Sequence, residues 1–247
     1  MTIQPRSRYS IHSILSLALA VSMSGGCAAQ GTQANQSPAG TTPVPGVAAT
    51  QTQATEEAHP ALTNASLANE KAPDEFRVKF VTTKGDFEVE VFRAWSPNGA
   101  DRFYNLVKIG FFKDIAIFRA IKGFMFQFGI HGTPAVAAEW GEANIKDDPM
   151  VGKSNLPYTL CFAKTGAPHS RSSQMFINLG NNAGLDGQGF TPFGKVVEGK
   201  DVVDMINTQY GENVGNVQGE FKEGGNAYIQ AKFPRIDMIK SVTLIEE

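Results

Sequence analysis

Ile117-Phe-Arg-Ala-Ile-Lys-Gly-Phe-Met-Phe-Gln-Phe-Gly129 carries most of two short apolar runs, Ile115–Ala120 and Phe124–Phe128, joined through a glycine. Runs this short, rich in aromatic and β-branched residues and bounded by Gly, predict strands rather than helices. Arg119 and Gln127 are then polar residues embedded among Phe, Met and Ile. Taken singly, each is an ordinary polar side chain on a solvent face, and Phe and Met at strand spacing are usually core.

The pattern repeats in both directions along the chain. Phe76, Val78 and Phe80 alternate with polar residues, and Phe87, Val89 and Val91 do so again after Thr83-Lys-Gly-Asp86, which is a hairpin signal. Tyr158–Ala163, Gln174–Leu179, Pro192–Val197 and Ile236–Ile245 bring the strand candidates to eight. Two helices interrupt them. Ser96-Pro97 offers an N-cap and a first-turn proline, Ala100, Phe103, Leu106 and Val107 share one face, and Gly110 follows the end. Gly199-Lys-Asp201 opens the second helix, with Val202, Val203 and Ile206 inward. These signals predict a mainly β domain over 75–247, a closed eight-stranded antiparallel barrel capped by two α-helices. Such a barrel is filled by side chains, so a site belongs on its outer face or in its loops. Asn207–Phe233, rich in Gly, Asn and Gln, reads as a loop before the last strand.

Residues 1–27 read as an export signal: Arg6 and Arg8, an apolar run from Ile11 to Met23, then Ser24-Gly25-Gly26-Cys27. The run is too short for a comfortable membrane span. A Cys after small residues resembles a lipobox, in which Cys27 becomes the lipid-attachment site, although Ser24 stands where an aliphatic residue is usual. The competing expectation is cleavage after Ala20 or Ala29 and a soluble product. Residues 28–74, dominated by Ala, Thr, Gln, Pro, Ser and Asn, are expected to form a flexible tether, since they hold few large apolar side chains. The expected location is the periplasmic side of a bacterial membrane, through a lipid anchor.

The net charge of −2, with both signs interspersed, argues against nucleic acid as a partner. Cys27 and Cys161 lie in unrelated settings and imply no disulfide. A Cys161–His169 hydrolase is disfavoured because Cys161 sits within an apolar alternation, and His131 and His169 lack metal-ligand spacing. Neither metal nor cofactor is expected, and the domain is expected to be a monomer.

Two further segments share the character of the first: Ala163-Lys-Thr-Gly-Ala-Pro-His-Ser-Arg-Ser-Ser-Gln-Met-Phe-Ile-Asn178 and Leu185-Asp-Gly-Gln-Gly-Phe-Thr-Pro-Phe-Gly194. A cationic fork beside exposed aromatics suits an apolar ligand with one polar centre. Together, in this order and at this spacing, the three segments resemble the cyclophilin signature, and most closely that of its bacterial branch. The resemblance runs from about Phe76 to the C-terminus. It implies a peptidyl-prolyl cis/trans isomerase acting on proline-containing polypeptides. Arg119 matches the catalytic arginine, while Phe124, Met125 and Gln127 match the Phe-Met-x-Gln element. Of these, Phe124 and Gln127 join Arg119 in the catalytic group. Met125, Gln174, Phe176, Leu185 and Phe190 fall to substrate binding, with Ala163 and Lys164 offering backbone to the residue before proline. Three positions depart from the pattern. Gly184 and Phe190 replace a Trp and a His of the pocket rim, which weakens the expectation of cyclosporin-type inhibition, and Phe118 replaces the His before the arginine. A proline-recognising binding module with little turnover is the alternative that the same pocket allows.

Overall fold

The computed structural model describes residues 58–246, so the expected signal sequence, Cys27 and the expected tether up to residue 57 lie outside the described residues. The expected hairpin forms from β1 (Glu75–Thr82) and β2 (Gly85–Phe92), with Val78 opposite Val89 and Phe80 opposite Phe87. These four side chains and Val91 are buried, as a period of two with one face inward requires. The other strands are β3 (Ile115–Ala116), β4 (Arg119–Ile121), β5 (Met125–Phe128), β6 (Thr159–Phe162), β7 (Met175–Asn178), β8 (Pro192–Glu198) and β9 (Met238–Leu244). All pair antiparallel in one sheet of order β3-β9-β1-β2-β8-β6-β7-β5-β4.

The sheet is therefore an open, curled half-barrel of nine strands rather than the closed eight-stranded barrel expected. The difference arises in one segment. Ile115–Ala120 is not a single strand: Ile115 and Ala116 pair with β9, whereas Arg119–Ile121 pair with β5. Ile117 and Phe118 cross between them, so one short stretch of chain supplies both edges of the sheet. Edges only two and three residues long also offer little to an incoming strand.

Four α-helices lie among the described residues: α1 (Pro97–Lys108), α2 (Pro134–Glu142), α3 (Lys200–Asp204) and α4 (Gln218–Lys232). Phe103 of α1 lies 6.2 Å from Phe80 and 5.3 Å from Phe193 of β8, while Phe80 stacks on Phe87 at 4.6 Å. Each such ring, buried, contributes on the order of 1.5–3 kcal/mol. The start of α1 is capped differently from expectation. Ser96 makes no side-chain bond to the helix; instead Asp148 accepts the N–H groups of Asn98 and Gly99 at 2.8 and 3.0 Å. Buried Arg171 pairs with that carboxylate at 3.0 Å, so the anion at the helix N-terminus is itself neutralised.

Helix α4 occupies the segment expected to be a loop. It is two helical pieces broken at Gly225, whose φ of 59° puts it in the left-handed region. A Cβ there would fall 2.2 Å from the Gly132 carbonyl oxygen, so the close approach to the start of α2 demands glycine. Phe221 and Ile229 of α4 are fully buried in a second cluster with Phe118 and Val214.

Residues 58–74, expected to belong to the tether, are instead packed on the domain. Ala61 is buried, and the Trp140 indole of α2 donates to the Ala61 and Leu62 carbonyls at 3.2 and 3.1 Å. Asn105 of α1 accepts the Glu70 N–H at 2.9 Å and donates to the Glu70 carbonyl at 2.7 Å. Asp101 accepts the Ala72 N–H and pairs with Arg93. Partial burial raises the Asp101 pKa, but the bonds from Arg93 and Ala72 outweigh it and hold the carboxyl below its ordinary value. Among the described residues, the packed domain thus extends back from residue 75 into this stretch. The contacts use backbone amides and small side chains, which composition does not reveal.

Asn105→Ala removes both bonds to Glu70 and should lower unfolding stability by about 1–3 kcal/mol, with faster hydrogen exchange along residues 61–72. A free tether there would leave both measurements unchanged.

Candidate active site

Sheet register assembles the site. Arg119 on β4 lies opposite Gln127 on β5, Gln127 opposite Phe176 on β7, and Phe176 opposite Cys161 on β6. The next row, Ala120, Phe126, Ile177 and Leu160, faces the main core. Alternation thus leaves Arg119, Gln127, Phe176 and Cys161 together on the outer face.

Above this row opens a cavity of about 280 Å³, lined by Arg119, Phe124, Met125, Gln127, Ala163, Lys164, Phe176, Leu185, Phe190 and Gln218. It gathers every residue expected to catalyse or bind substrate except Gln174, which accepts a hydrogen bond from Gln127. Met125, Phe176 and Cys161 form a buried apolar floor, with Phe124, Ala163, Leu185 and Phe190 packed around it. Phe190 meets the Phe176 ring edge-on at 5.9 Å.

The loop that brings Leu185 and Phe190 over the floor is held by polar contacts. Asp186 accepts the backbone and side-chain N–H groups of Asn155 at 2.9 and 2.8 Å, and Asn155 also donates to the Phe190 carbonyl at 2.8 Å. Burial raises the Asp186 pKa, yet its bonds from Ser154 and Asn155 prevail and keep it ionised more readily than usual. Asn182 donates to the Phe124 carbonyl at 2.7 Å and so ties that loop to the turn before β5. Gly180 sits where a Cβ would fall 2.0 Å from the Gly123 carbonyl oxygen, so only glycine lets the two turns meet.

The opposite wall is polar. Arg119 Nη1 donates to Gln127 Oε1 at 3.2 Å, and the guanidinium carbon lies 5.8 Å from the Phe124 ring centre. Gln127 donates to Gln174 Oε1 at 2.8 Å, and Gln174 to Gln218 Oε1 at 3.2 Å. Arg119 Nε and Nη2 also donate to the two Glu212 oxygens, each at 2.6 Å. Those bonds hold the Glu212 carboxyl below its usual pKa. Glu212 and Gln218 were not among the expected site residues. The only hint was that Glu212 is a lone charge in an otherwise neutral stretch from Met205 to Gly219.

The departures at the rim have visible consequences. Gly184 leaves it open, since an added Cβ would meet nothing within 4 Å. Phe118 is fully buried and packs against Phe221, away from the site. Lys164 reaches across the loop, its Nζ 3.3 Å from the Gln188 carbonyl. A larger cleft of about 690 Å³ lies elsewhere, lined by groups such as His59, His131 and Asn226. It contains none of the cationic-fork and aromatic arrangement, and it borders Ala58, where the described chain begins.

Comparison with known proteins identifies the family. A family model described as cyclophilin type peptidyl-prolyl cis-trans isomerase/CLD matches residues 77–223. Peptidyl-prolyl cis-trans isomerase B of Escherichia coli is 35% identical over 136 residues, which are 52% of this chain and 82% of that protein. A peptidyl-prolyl cis-trans isomerase of Acinetobacter baylyi is 35% identical over 133 residues, covering 52% of this chain and 70% of its own. The crystal structure of a Cryptosporidium parvum cyclophilin type isomerase superposes with a TM-score of 0.52 at 21% identity, over 70% of this chain and 99% of that one; the same protein was also crystallised in the presence of the dipeptide Ala-Pro. The chain belongs to the cyclophilin type peptidyl-prolyl cis-trans isomerase family. It is an enzyme of that class.

Thiol chemistry has no support at this site. Cys161 is fully buried, and desolvation pushes its pKa far up. His169 lies on an exposed loop, where it accepts the Asp147 N–H at 3.0 Å. Among the described residues no cluster of His, Cys, Asp and Glu is arranged to hold a metal ion. Cys161 should therefore resist iodoacetamide in the folded protein and react only after unfolding, as read by mass spectrometry of the peptide. Fast native-state labelling would contradict the closed floor.

Proposed function

We propose that this isomerase acts on X-Pro bonds of exported polypeptides and thereby assists their folding, with Arg119 as its catalytic group. The observation that carries the reading is the Arg119–Gln127 pair, joined at 3.2 Å beside a floor of Met125 and Phe176. An X-Pro amide turns slowly because C–N resonance must be broken, a barrier of about 18–20 kcal/mol. As the bond twists, the proline nitrogen regains its lone pair and accepts a hydrogen bond that the planar ground state cannot. A guanidinium N–H aimed at that nitrogen stabilises the twisted state selectively.

The pyrrolidine ring sits on Met125 and Phe176, bounded by Phe124, Leu185 and Phe190. Gln127 holds Arg119 from one side and offers its amide to a substrate carbonyl, with Gln174 fixing the amide's orientation. Backbone groups of Ala163 and Lys164 receive the residue before proline. No proton moves and no covalent intermediate forms.

The export part of the proposal rests on the leader. The basic start, the apolar run and Cys27 after small residues favour secretion and lipid attachment, which would keep the enzyme on the periplasmic side of a bacterial membrane. Among the described residues no helix is long and apolar enough to cross a membrane. If Cys27 is the lipid-attachment site, wild-type protein should sediment with membranes and Cys27→Ser should be released or remain unprocessed. A wholly soluble wild type beginning at Val21 or Gln30 would refute the anchor.

For catalysis, Arg119→Ala should lower kcat/KM on an X-Pro peptide by about a hundredfold, the scale of losing one preorganised donor. Its melting temperature should change little, because the side chain is partly exposed. Near-normal turnover in that variant would overturn the mechanism.

A further inference from the structure

The segment from Tyr210 to Gln218 folds over the polar wall of the site and is anchored on both sides of Glu212. The Tyr210 ring packs edge-on against Phe233 at 5.2 Å, and its hydroxyl accepts the Arg235 N–H at 3.2 Å. Gly211 forms a bridge with Ala120, the residue next to Arg119. Val214 is buried in the cluster with Phe118 and Phe221. A Cβ on Gly215 would stand 3.2 Å from Arg119 Cδ, so the segment's backbone also lies against the arginine stem.

This leaves Arg119 gripped along its length. A guanidinium has five N–H donors. Glu212 takes two, at Nε and Nη2, and Gln127 takes one at Nη1, leaving two for a ligand. The Glu212 contact is fork-on-fork, the geometry that adds orientation as well as attraction. The same segment closes the other end of the polar chain. Gln127 donates to Gln174, Gln174 to Gln218, and Gln218 to the Gly215 carbonyl at 3.1 Å. Arg119 is thus part of a ring of contacts that leaves the segment at Glu212 and returns to it at Gln218 and Gly215.

We propose that Glu212 is a positioning residue for the isomerase reaction: its carboxylate fixes the Arg119 guanidinium so that the remaining donors face the proline nitrogen. The proposal rests on the catalytic reading of Arg119. The reason for such a device is visible in the sheet. Arg119 stands on β4, an edge strand of three residues, and a long side chain at an edge samples many rotamers. Fixing the donor before the substrate arrives removes that reorganisation from the reaction. The carboxylate also offsets part of the arginine's charge, so orientation is the gain and field strength the cost. A half-exposed ion pair adds little to folding, so the effect should appear in turnover rather than in stability.

The test uses the full chain in a proline-isomerisation assay that separates kcat from KM, with wild type, Glu212→Ala, Glu212→Gln, Arg119→Ala and the double variant Arg119→Ala/Glu212→Ala. Glu212→Ala should lower kcat about tenfold, as expected for a loosened catalytic group, with KM within about twofold and an unchanged melting temperature. Glu212→Gln, which keeps one acceptor oxygen, should recover part of the loss. In the Arg119→Ala background, removing Glu212 should cost nothing further. Wild-type or raised kcat in Glu212→Ala would overturn the proposal while leaving Arg119 as catalyst. An equal loss from Glu212→Ala in the Arg119→Ala background would also overturn it. Wild-type turnover in Arg119→Ala would instead remove the catalytic reading beneath it.

Discussion

Side chains alternate along a strand with a period of two, so the pairing of β4, β5, β7 and β6 decides on which side of the sheet every site residue falls. With Arg119 opposite Gln127, Gln127 opposite Phe176 and Phe176 opposite Cys161, a cation, an amide and an apolar floor share the outer face. A slip of one residue would send Arg119 and Gln127 into the core and turn Phe126 and Ile177 out to water. Burying an unpaired guanidinium costs several kcal/mol, and exposing those apolar side chains forfeits roughly 1.5–3 kcal/mol each. The register that protects the core is therefore the register that builds the site, and the site needs no stabilisation of its own beyond the loops that roof it.

Those loops are fixed by partly buried polar contacts. Asn155 binds Asp186 and the Phe190 carbonyl, and Asn182 binds the Phe124 carbonyl. Each link connects a residue that lines the cavity to a neighbouring segment, and the Asn155 amide, fully buried, is costly to leave unpaired. Rigidity matters here because the chemistry asks so little else of the protein. One well-aimed donor contributes on the order of 2.7–4 kcal/mol against a barrier of about 18–20 kcal/mol. In the proposed mechanism such a contribution depends on the donor and the pyrrolidine ring being held in fixed relation, a task that falls to the apolar floor and the Arg119 contacts.

Much of this was legible in the sequence wherever a local pattern has a local cause. The hairpin of β1 and β2 followed from alternation and a Gly-containing turn, and helix α1 from Ser96-Pro97 and its apolar stripe. The expected site residues came together because their motifs lie on neighbouring strands and on the loops that adjoin them. What could not be read had non-local causes. Ile115–Ala120 looks like one strand, and only the partners waiting at β9 and β5 divide it. Helix α4 hides behind glycines and amides, and Phe221 and Ile229 become its core face only once Phe118 is there to meet them. Helix α2 did carry a signal, Thr133-Pro134 followed by Val136, Ala137 and Trp140. The packed stretch 58–74 carried little, because its contacts are made mostly by backbone groups and alanines, with Leu62 and Glu70 as isolated side chains. Glu212 became visible only when the fold brought it to Arg119, 93 residues away in the chain.

The outer face of β4, β5 and β7 is proposed to bind a proline residue and speed its isomerisation. The most direct measurement is two-dimensional exchange NMR of an Ala-Pro-containing peptide at equilibrium, with a substoichiometric amount of the protein, paired with the peptide's shift perturbations on labelled protein. Cis/trans exchange of the peptide should accelerate into the observable range, and the largest perturbations should fall on Arg119, Phe124, Met125, Gln127, Phe176 and Leu185. No acceleration, or perturbations centred instead on the cleft around His59, His131 and Asn226, would contradict it.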